Sequence, residues 1–283
     1  MLGFALHRML HDAGWKTFGC IRSASRPSST WCGGLEYVTG ADAGNLGSVI
    51  RALDQVAPDV VINAIGVNSV AVVGGDVQRM LTVNSMLPRR LDFLAGERNF
   101  RLVHFSSDGV FSGRVGNYDE HAVPDADDPY GVSKFLGEPG GPQSLVLRTS
   151  LIGRSLQSGQ GLLDWLLRQH GTVTGFTRVI FSGLTVDEIG AVIDRMLRQG
   201  ALPSGVHHLS GNAISKFDLI RKLSAAWGMH DLDVQPSDSP VCDRSLDSRR
   251  LRHLIGYVPP DWDKMITTMK EFYAGLDQLS LQL

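Results

Sequence analysis

Residues 105–138, FSSDGVFSGRVGNYDEHAVPDADDPYGVSKFLGE, decide how this chain is read. The stretch opens at the end of an apolar run, RLVHFS at 101–106, and closes on a Pro-Tyr-Gly-Val-Ser-Lys segment. Tyr130 and Lys134 stand at i and i+4, so a helix puts phenol and ammonium on one face, one turn apart. Asp128 before Pro129 fits an N-cap followed by N1, which marks where that helix starts. Ser107 follows the apolar run. A hydroxyl held opposite the pair would complete a proton-donating site for a carbonyl.

Outward from this stretch, short apolar runs alternate with helical patterns. Leu2, Leu6, Met9, Leu10 and Ala13 repeat at helical spacing, with Gly14 as a C′ residue. Residues 16–21 (KTFGCI) read as a strand and 42–56 as a helix ending before Pro58. Residues 59–63 (DVVIN) read as a buried strand by their continuous apolar character. Residues 76–98 form a long helical pattern with a kink expected near Pro88. Strands are also expected at 101–106 and 144–148 (SLVLR). This alternation predicts an α/β fold with a doubly wound parallel sheet. Beyond Thr149 it loosens: helices are expected at 161–169, 187–198, 215–227, 251–254 and 260–276, a strand at 206–209 and a loop at 237–244. That part reads as a smaller mixed α/β lobe.

The bulk numbers bound the function. A chain of 283 residues buries a sizeable core, and its 43% apolar and 20% charged residues are ordinary for a globular protein. A net charge of −2 recruits neither nucleic acid nor anionic membrane. No apolar run approaches the roughly 18 residues needed to span a bilayer. Cys20, Cys32 and Cys242 are far apart and in no metal or redox spacing, so no metal site is expected and reduced thiols in the cytoplasm fit. His207-His208, at a strand end with no acid at ligand spacing, reads as structural.

Residues around the expected first turns bear on a cofactor. Arg22, Ser23 and Arg26 follow the strand at 16–21, with no acid there. At that place an acid suits a ribose 2′-hydroxyl and an Arg suits a 2′-phosphate, which its planar fork accepts bidentately. A solvated basic loop is the other reading. Asn63-Ala64-Ile65-Gly66 follows the next strand, where small residues let a flat group lie against backbone, although such a turn needs glycine in any case.

The ordered set of motifs carries a resemblance. It comprises Ser106-Ser107-Asp108 with Val110-Phe111-Ser112-Gly113, Tyr118-Asp119-Glu120, Pro129-Tyr130-Gly131-Val132-Ser133-Lys134 and Gly137-Glu138. Val83-Asn84, Arg148-Thr149-Ser150 and Arg244-Ser245-Leu246-Asp247 are further parallels. The chain resembles the extended short-chain dehydrogenase/reductase family, and within it the dTDP-4-dehydrorhamnose reductase group of sugar-nucleotide reductases. The resemblance implies a Rossmann-like dinucleotide-binding domain over residues 1–150 and 183–212, with a substrate-binding lobe over 151–182 and 213–283. It implies NADP(H), with NAD(H) as the alternative, and reduction at C4 of a nucleotide-linked 4-keto-6-deoxy sugar in polysaccharide precursor synthesis. A nucleotide sugar is the expected partner, and a homodimer is compatible. Tyr130 is the implied proton donor, Lys134 its tuner and Ser107 the anchor of the carbonyl oxygen. Cofactor contacts fall on Gly3, Arg22, Ser23, Asp42, Asn63, Ala64, Ile65, Gly66, Asn84, Tyr130 and Lys134. Substrate contacts fall on Ser107, Asp108 and Arg244, with Arg178 as a further candidate for the diphosphate.

The chain also departs from the group. The first strand and the first two glycines of the cofactor turn are missing ahead of Leu2, so a start upstream by about ten residues is expected. Gly109 and Leu151 stand where the group has aromatics that line the sugar site, and Pro139-Gly140-Gly141-Pro142 cuts short the helix after Lys134. Asp108 followed by Gly109 lacks the Asp-Glu pair of a 4,6-dehydratase. A 4-epimerase and a non-catalytic nucleotide-binding or regulatory subunit of the same fold stay open as alternatives.

Overall fold

The computed structural model describes residues 1–23, 30–67, 76–155 and 161–279. The chain begins with α1 (Leu2–Asp12), β1 (Gly19–Ile21), β2 (Tyr37–Thr39), α2 (Leu46–Val56) and β3 (Val60–Asn63). A long helical passage follows: α3 (Val77–Met80), a π-helical segment (Leu81–Met86) and α4 (Leu87–Arg98). Then come β4 (Arg101–Phe105), α5 (Pro129–Leu136) and β5 (Ser144–Arg148). Parallel pairing sets the order β10-β5-β4-β3 in the main sheet, where β10 is Gly205–His208. Val103 at its centre lies between Ile62 and Leu145.

Strand alternation divides the core into two faces. Leu102 packs with Leu53 of α2 and with Leu87, Leu91 and Leu94 of α4. Val103 and Phe105 face the other way, into the cluster of Leu2, Leu6 and Leu10 from α1 and Ile189, Val192 and Ile193 from α7 (Val186–Gln199). Helices on both faces of a parallel sheet make the fold doubly wound, as the alternation predicts.

Several expectations change in detail. Residues 59–63 are not a buried strand: Val60, Val61 and Ile62 are half-buried, while β5 is buried throughout. The reason is position, since β3 pairs with β4 and its other edge pairs with no described strand. β1 is shorter than residues 16–21 and forms a separate parallel pair with β2. The helix expected from residue 42 starts at Leu46, because Asn45 caps it through Ser48 N while Asp42 Oδ1 accepts the Gly44 N–H. Near Pro88 the passage at 76–98 changes geometry: Pro88 sits in the first turn of α4, and the preceding segment widens to π geometry, which relieves the clash a proline makes with the carbonyl one turn back.

The remaining chain is built of short pieces: β6 (Leu151–Ile152), α6 (Leu162–Leu166), β7 (Thr172–Phe176), β8 (Val179–Phe181), β9 (Leu184–Thr185), β11 (Ile214–Ser215), α8 (Lys216–Ala226), β12 (Asp233–Ser237), β13 (Cys242–Asp243), α9 (Arg249–Ile255) and α10 (Trp262–Leu279). The region 237–244, expected as a loop, contains β13, which runs parallel to β8. β12 pairs in parallel with β7, and β11 pairs antiparallel to β8. This pairing places Arg244, just past β13, and Lys216, just past β11, on either side of β8.

Candidate active site

The end of β4 and the start of α5 bring together the residues expected at the site. The chain leaves the sheet at Phe105 into Ser106 and Ser107, where Ser107 caps a 3₁₀ turn, Asp108–Val110, by accepting the Gly109 N–H at 3.0 Å. The Ser107 hydroxyl donates to Asp108 Oδ1 at 3.2 Å. α5 begins as its sequence dictates, with Asp128 accepting the Gly131 N–H at 2.9 Å and Pro129 at N1. Gly131 must lack a side chain, because a Cβ there would run into the Gly109 carbonyl oxygen. This close approach lays Tyr130 against the turn, with its ring and Ser107 Oγ both packed around Gly109.

Lys134 lies one turn further along α5, 4% exposed, and donates to the Phe105 carbonyl oxygen at 2.6 Å. Burial pulls its ammonium down to about 8. The expected tuning of the phenol takes a different form from a simple Lys134–Tyr130 pair. The phenol is pushed up by burial and by the charges of Asp108 and Asp128, and is drawn down by Ser107 and by Arg244. Arg244 reaches this place through a 3.5 Å contact of its Nη2 with Asp128 Oδ2. Arg178 lies exposed in the β7–β8 turn, and its backbone oxygen accepts from Cys242 N.

A second group of motif residues builds the support. Arg148 at the end of β5 donates from Nε and Nη2 to both carboxylate oxygens of Glu138, each at 2.8 Å, and Ser106 Oγ donates to the same carboxylate at 2.7 Å. The guanidinium lies 5.2 Å from the Phe111 ring, which stacks on Tyr118 at 4.1 Å. His208 Nδ1 lies 3.0 Å from the Tyr118 carbonyl oxygen, and its N–H donates to Glu120 at 3.0 Å. These contacts fix the 111–120 loop over the sheet. His208 is thus structural, and so is His207, whose Nε2 lies 3.2 Å from the Ser204 carbonyl oxygen.

The residues expected at a cofactor divide into inward and outward sets. Asn63 is 3% exposed and Asn84 fully buried. Asn63 holds His104 Nδ1 at 3.1 Å and accepts the Ile65 N–H. Asn84 holds both the N–H and the carbonyl of Val67 at 2.8 Å and donates to Ser133 Oγ at 3.0 Å. Their side chains therefore shape the 64–67 turn from inside. Asp42 does the same at the entry to α2, through Gly44. Gly3, Arg22, Ser23 and Ile65 face outward, and Ala64 and Gly66 are backbone to that surface, with Gly3 against Ala64. The outward groups are thus an exposed apolar Ile65 beside two small residues, Gly3 in the first turn of α1 and Arg22 and Ser23 past β1. Arg26 lies outside the described residues. No group of three or more His, Cys, Asp or Glu side chains is placed to hold a metal among the described residues.

Sequence reasoning missed Lys216. It occupies N1 of α8, where the helix dipole disfavours a cation, and its ammonium stands 4.0 Å over the Phe181 ring. Its charge reaches Asp108, whose carboxyl is pushed up by burial and drawn down by Ser150, Arg244 and Lys216. A lysine directly after an N-cap serine was the available signal.

The model of the RmlD substrate binding domain family matches residues 1–274. The chain belongs to that family. Its members include dTDP-4-dehydrorhamnose reductase-like extended short-chain dehydrogenases/reductases, and the relatives of this chain are distant. The probable low-salt glycan biosynthesis reductase Agl14 of Haloferax volcanii is 29% identical over 86% of this chain and 83% of its own length. Methionine adenosyltransferase 2 subunit beta of Xenopus tropicalis is 22% identical, over 98% of this chain and 80% of its own. The fold matches the Bordetella bronchiseptica enzyme WbmG, solved with NAD and UDP, at a TM-score of 0.77 and 18% identity over 97% and 92% of the two chains. Gly109 is buried and packed tightly: a Cβ there would stand 3.1 Å from Ser107 Oγ and 3.2 Å from Tyr130 Cε1. Leu151 lies in β6 at the edge of the main core.

Proposed function

We propose that the chain is an NADPH-dependent reductase of the C4 ketone of a nucleotide-linked 4-keto-6-deoxy sugar. The observation that carries this reading is the gathering of Tyr130, Ser107 and Asp108 at the turn after β4, backed by the buried Lys134. A bound nicotinamide supplies the hydride. Tyr130, kept protonated by its surroundings, donates its proton to the ketone oxygen, and Ser107 positions that oxygen. Residues 1–150 and 183–212 hold the dinucleotide, with Gly3, the 64–66 turn, Arg22 and Ser23 as its outward contacts. NAD(H) is the alternative where Arg22 meets no 2′-phosphate. Residues 151–182 and 213–283 hold the nucleotide sugar, with Arg244 on its diphosphate side.

The test is NADPH consumption with dTDP- and UDP-linked 4-keto-6-deoxy sugars, alongside Tyr130→Phe. Loss of the phenolic proton is expected to lower kcat by about 10²–10⁴-fold. Sugar conversion with no net NADPH consumed points to the epimerase reading instead. A regulatory-subunit reading draws support from the likeness to methionine adenosyltransferase 2 subunit beta along 98% of the chain. It predicts that Tyr130→Phe leaves the assayed function unchanged.

A further inference from the structure

His104 is fully buried in β4 and has no place in the proton transfer. In the parallel register it stands between Asn63 of β3 and Val146 of β5, so the three side chains share one face of the sheet. Val146 offers no polar atom, and Asn63 is the hydrogen-bonding neighbour in that row. His104 Nδ1 lies 3.1 Å from Asn63 Nδ2, and Asn63 Oδ1 accepts the Ile65 N–H at 3.2 Å. Counting donors and acceptors settles the state of both side chains. The Ile65 N–H takes the amide oxygen, so the amide nitrogen faces the imidazole as a donor. Nδ1 then has to accept, and the ring proton belongs on Nε2. Nε2 has no partner among the described residues in either tautomer, so the Nδ1 bond alone decides between them. A second ring proton would set N–H against N–H. Burial and the charge of Lys134, which is bound to the carbonyl of the next residue, both oppose it.

We propose that His104 is a positioning residue for the dinucleotide: with Nδ1 as an acceptor it locks the Asn63 amide, and the locked amide sets the backbone of the 64–66 turn. The inference rests on the reading above that this turn meets NADPH. His104 touches neither cofactor nor ketone and acts through Asn63. While Nδ1 accepts, the amide cannot turn over, its oxygen stays on the Ile65 N–H, and Ile65 stays on the outward surface, where it is 45% exposed. Asn84 holds the far end of the same turn through both backbone groups of Val67. The turn is thus braced at each end by one buried amide, and only the Asn63 brace depends on a residue of the central strand. An apolar side chain in place of His104 leaves a buried N–H of Asn63 without a partner, and the amide gains by turning away from Ile65.

The test compares the wild-type protein with His104→Leu, which removes the acceptor, and His104→Asn, whose side-chain oxygen can take the place of Nδ1. NADPH titration is expected to show affinity weaker by about ten-fold in His104→Leu and close to wild type in His104→Asn. With a dTDP-linked 4-keto-6-deoxy sugar, the KM for NADPH should rise in His104→Leu while kcat at saturating NADPH changes by no more than about two-fold. Should His104→Leu fail to fold, His104→Gln, whose polar end lies one atom beyond Nδ1, takes its place. Two readouts need no cofactor. Hydrogen exchange at the Ile65 amide of the unliganded protein is expected to speed up by about ten-fold in His104→Leu and to hold in His104→Asn. The ¹⁵N resonances of the wild-type His104 ring are expected to show Nδ1 bare and Nε2 protonated at pH 7. The reverse tautomer overturns the proposal, and so does equal NADPH affinity in wild type and His104→Leu. Losses of affinity in both variants that merely track their melting temperatures overturn it as well, since they are what a packing role alone produces. A wild-type protein that binds NADPH with these differences but reduces no sugar overturns the reductase reading instead and supports the role of His104.

Discussion

Asp187 stands in the first turn of α7, 3% exposed, with neither carboxylate oxygen in a hydrogen bond of good geometry. Burial pushes its carboxyl up to about 6. In the unfolded chain the same group ionises near 3.9. The folded state therefore holds the proton more tightly, and this residue's contribution weakens as pH rises from about 4 to about 6. The loss is complete above that and amounts to about 2–3 kcal/mol. Asp187→Asn is expected to unfold several degrees higher than the wild type at pH 7.5, with the gap closing near pH 4. Thermal unfolding of both proteins across that range checks it, and a gap independent of pH would remove the carboxyl as its cause. At this scale the nearness of Tyr130, Lys134 and Ser107 was legible in the sequence because their spacing is local to one helix and one strand end. Lys216 escaped because the Phe181 ring it stands over is remote in sequence, and the pairing of β8 with β11 brings them together. Asn84, expected at the cofactor, faces inward for a related reason: a strand-end turn needs its backbone groups satisfied before it can meet a ligand.

The π segment Leu81–Met86 does for the elements what Gly131 does for the residues. It presses against α5 so closely that a Cβ on Gly137 would enter the Asn84 carbonyl, and Ser85 Oγ donates to the Ser133 carbonyl at 2.7 Å. Asn84 thereby ties three pieces together: its own helix, the turn after β3 and α5. Asn84→Leu keeps the volume roughly and leaves both backbone groups of Val67 without partners. The expected cost is about 2–4 kcal/mol, since each stranded buried group costs about 1–3. NADPH affinity is expected to fall along with stability, because the 64–67 turn loses its inner support. Denaturant unfolding and NADPH titration measure the two, and unchanged affinity in a destabilised variant would detach the turn from the cofactor. The long helix was legible from its period. The π turn was not, because no sequence period distinguishes it from α geometry. The five-residue β7 and β12 were missed as well: their alternation runs through Thr, Gly, Gln and Pro and offers few apolar positions to count.

Across the whole molecule the Arg148–Glu138 pair is the joint between layers, both side chains 5% exposed. One guanidinium contacts the end of α5 through Glu138, lies against Phe111 in the loop and stands 3.5 Å from His208 of β10. Ser106, just past β4, shares the carboxylate. The motifs that resembled a reductase thus divide in two: Ser107, Tyr130 and Lys134 gather at the end of β4, where the proposed chemistry lies, while Phe111, Tyr118, Glu120, Glu138 and Arg148 hold the platform. Sequence could show that these residues occur together but not which task each performs, since both tasks keep residues in the same order along the chain. Removing one member should strand a charge in the interior: Arg148→Met is expected to lose about 3–5 kcal/mol. Replacing both, as Arg148→Met with Glu138→Gln, removes the stranded charge and should recover a large part of that loss, because a buried ion pair contributes little net stability over a neutral pair. Activity should not return with it, since the Ser106 hydroxyl then lacks the carboxylate that sets the approach of Ser107. Denaturant unfolding of the two single variants and the double variant separates these outcomes. Additive losses in the double variant would mean that the two side chains act independently, and the joint would have to be sought elsewhere.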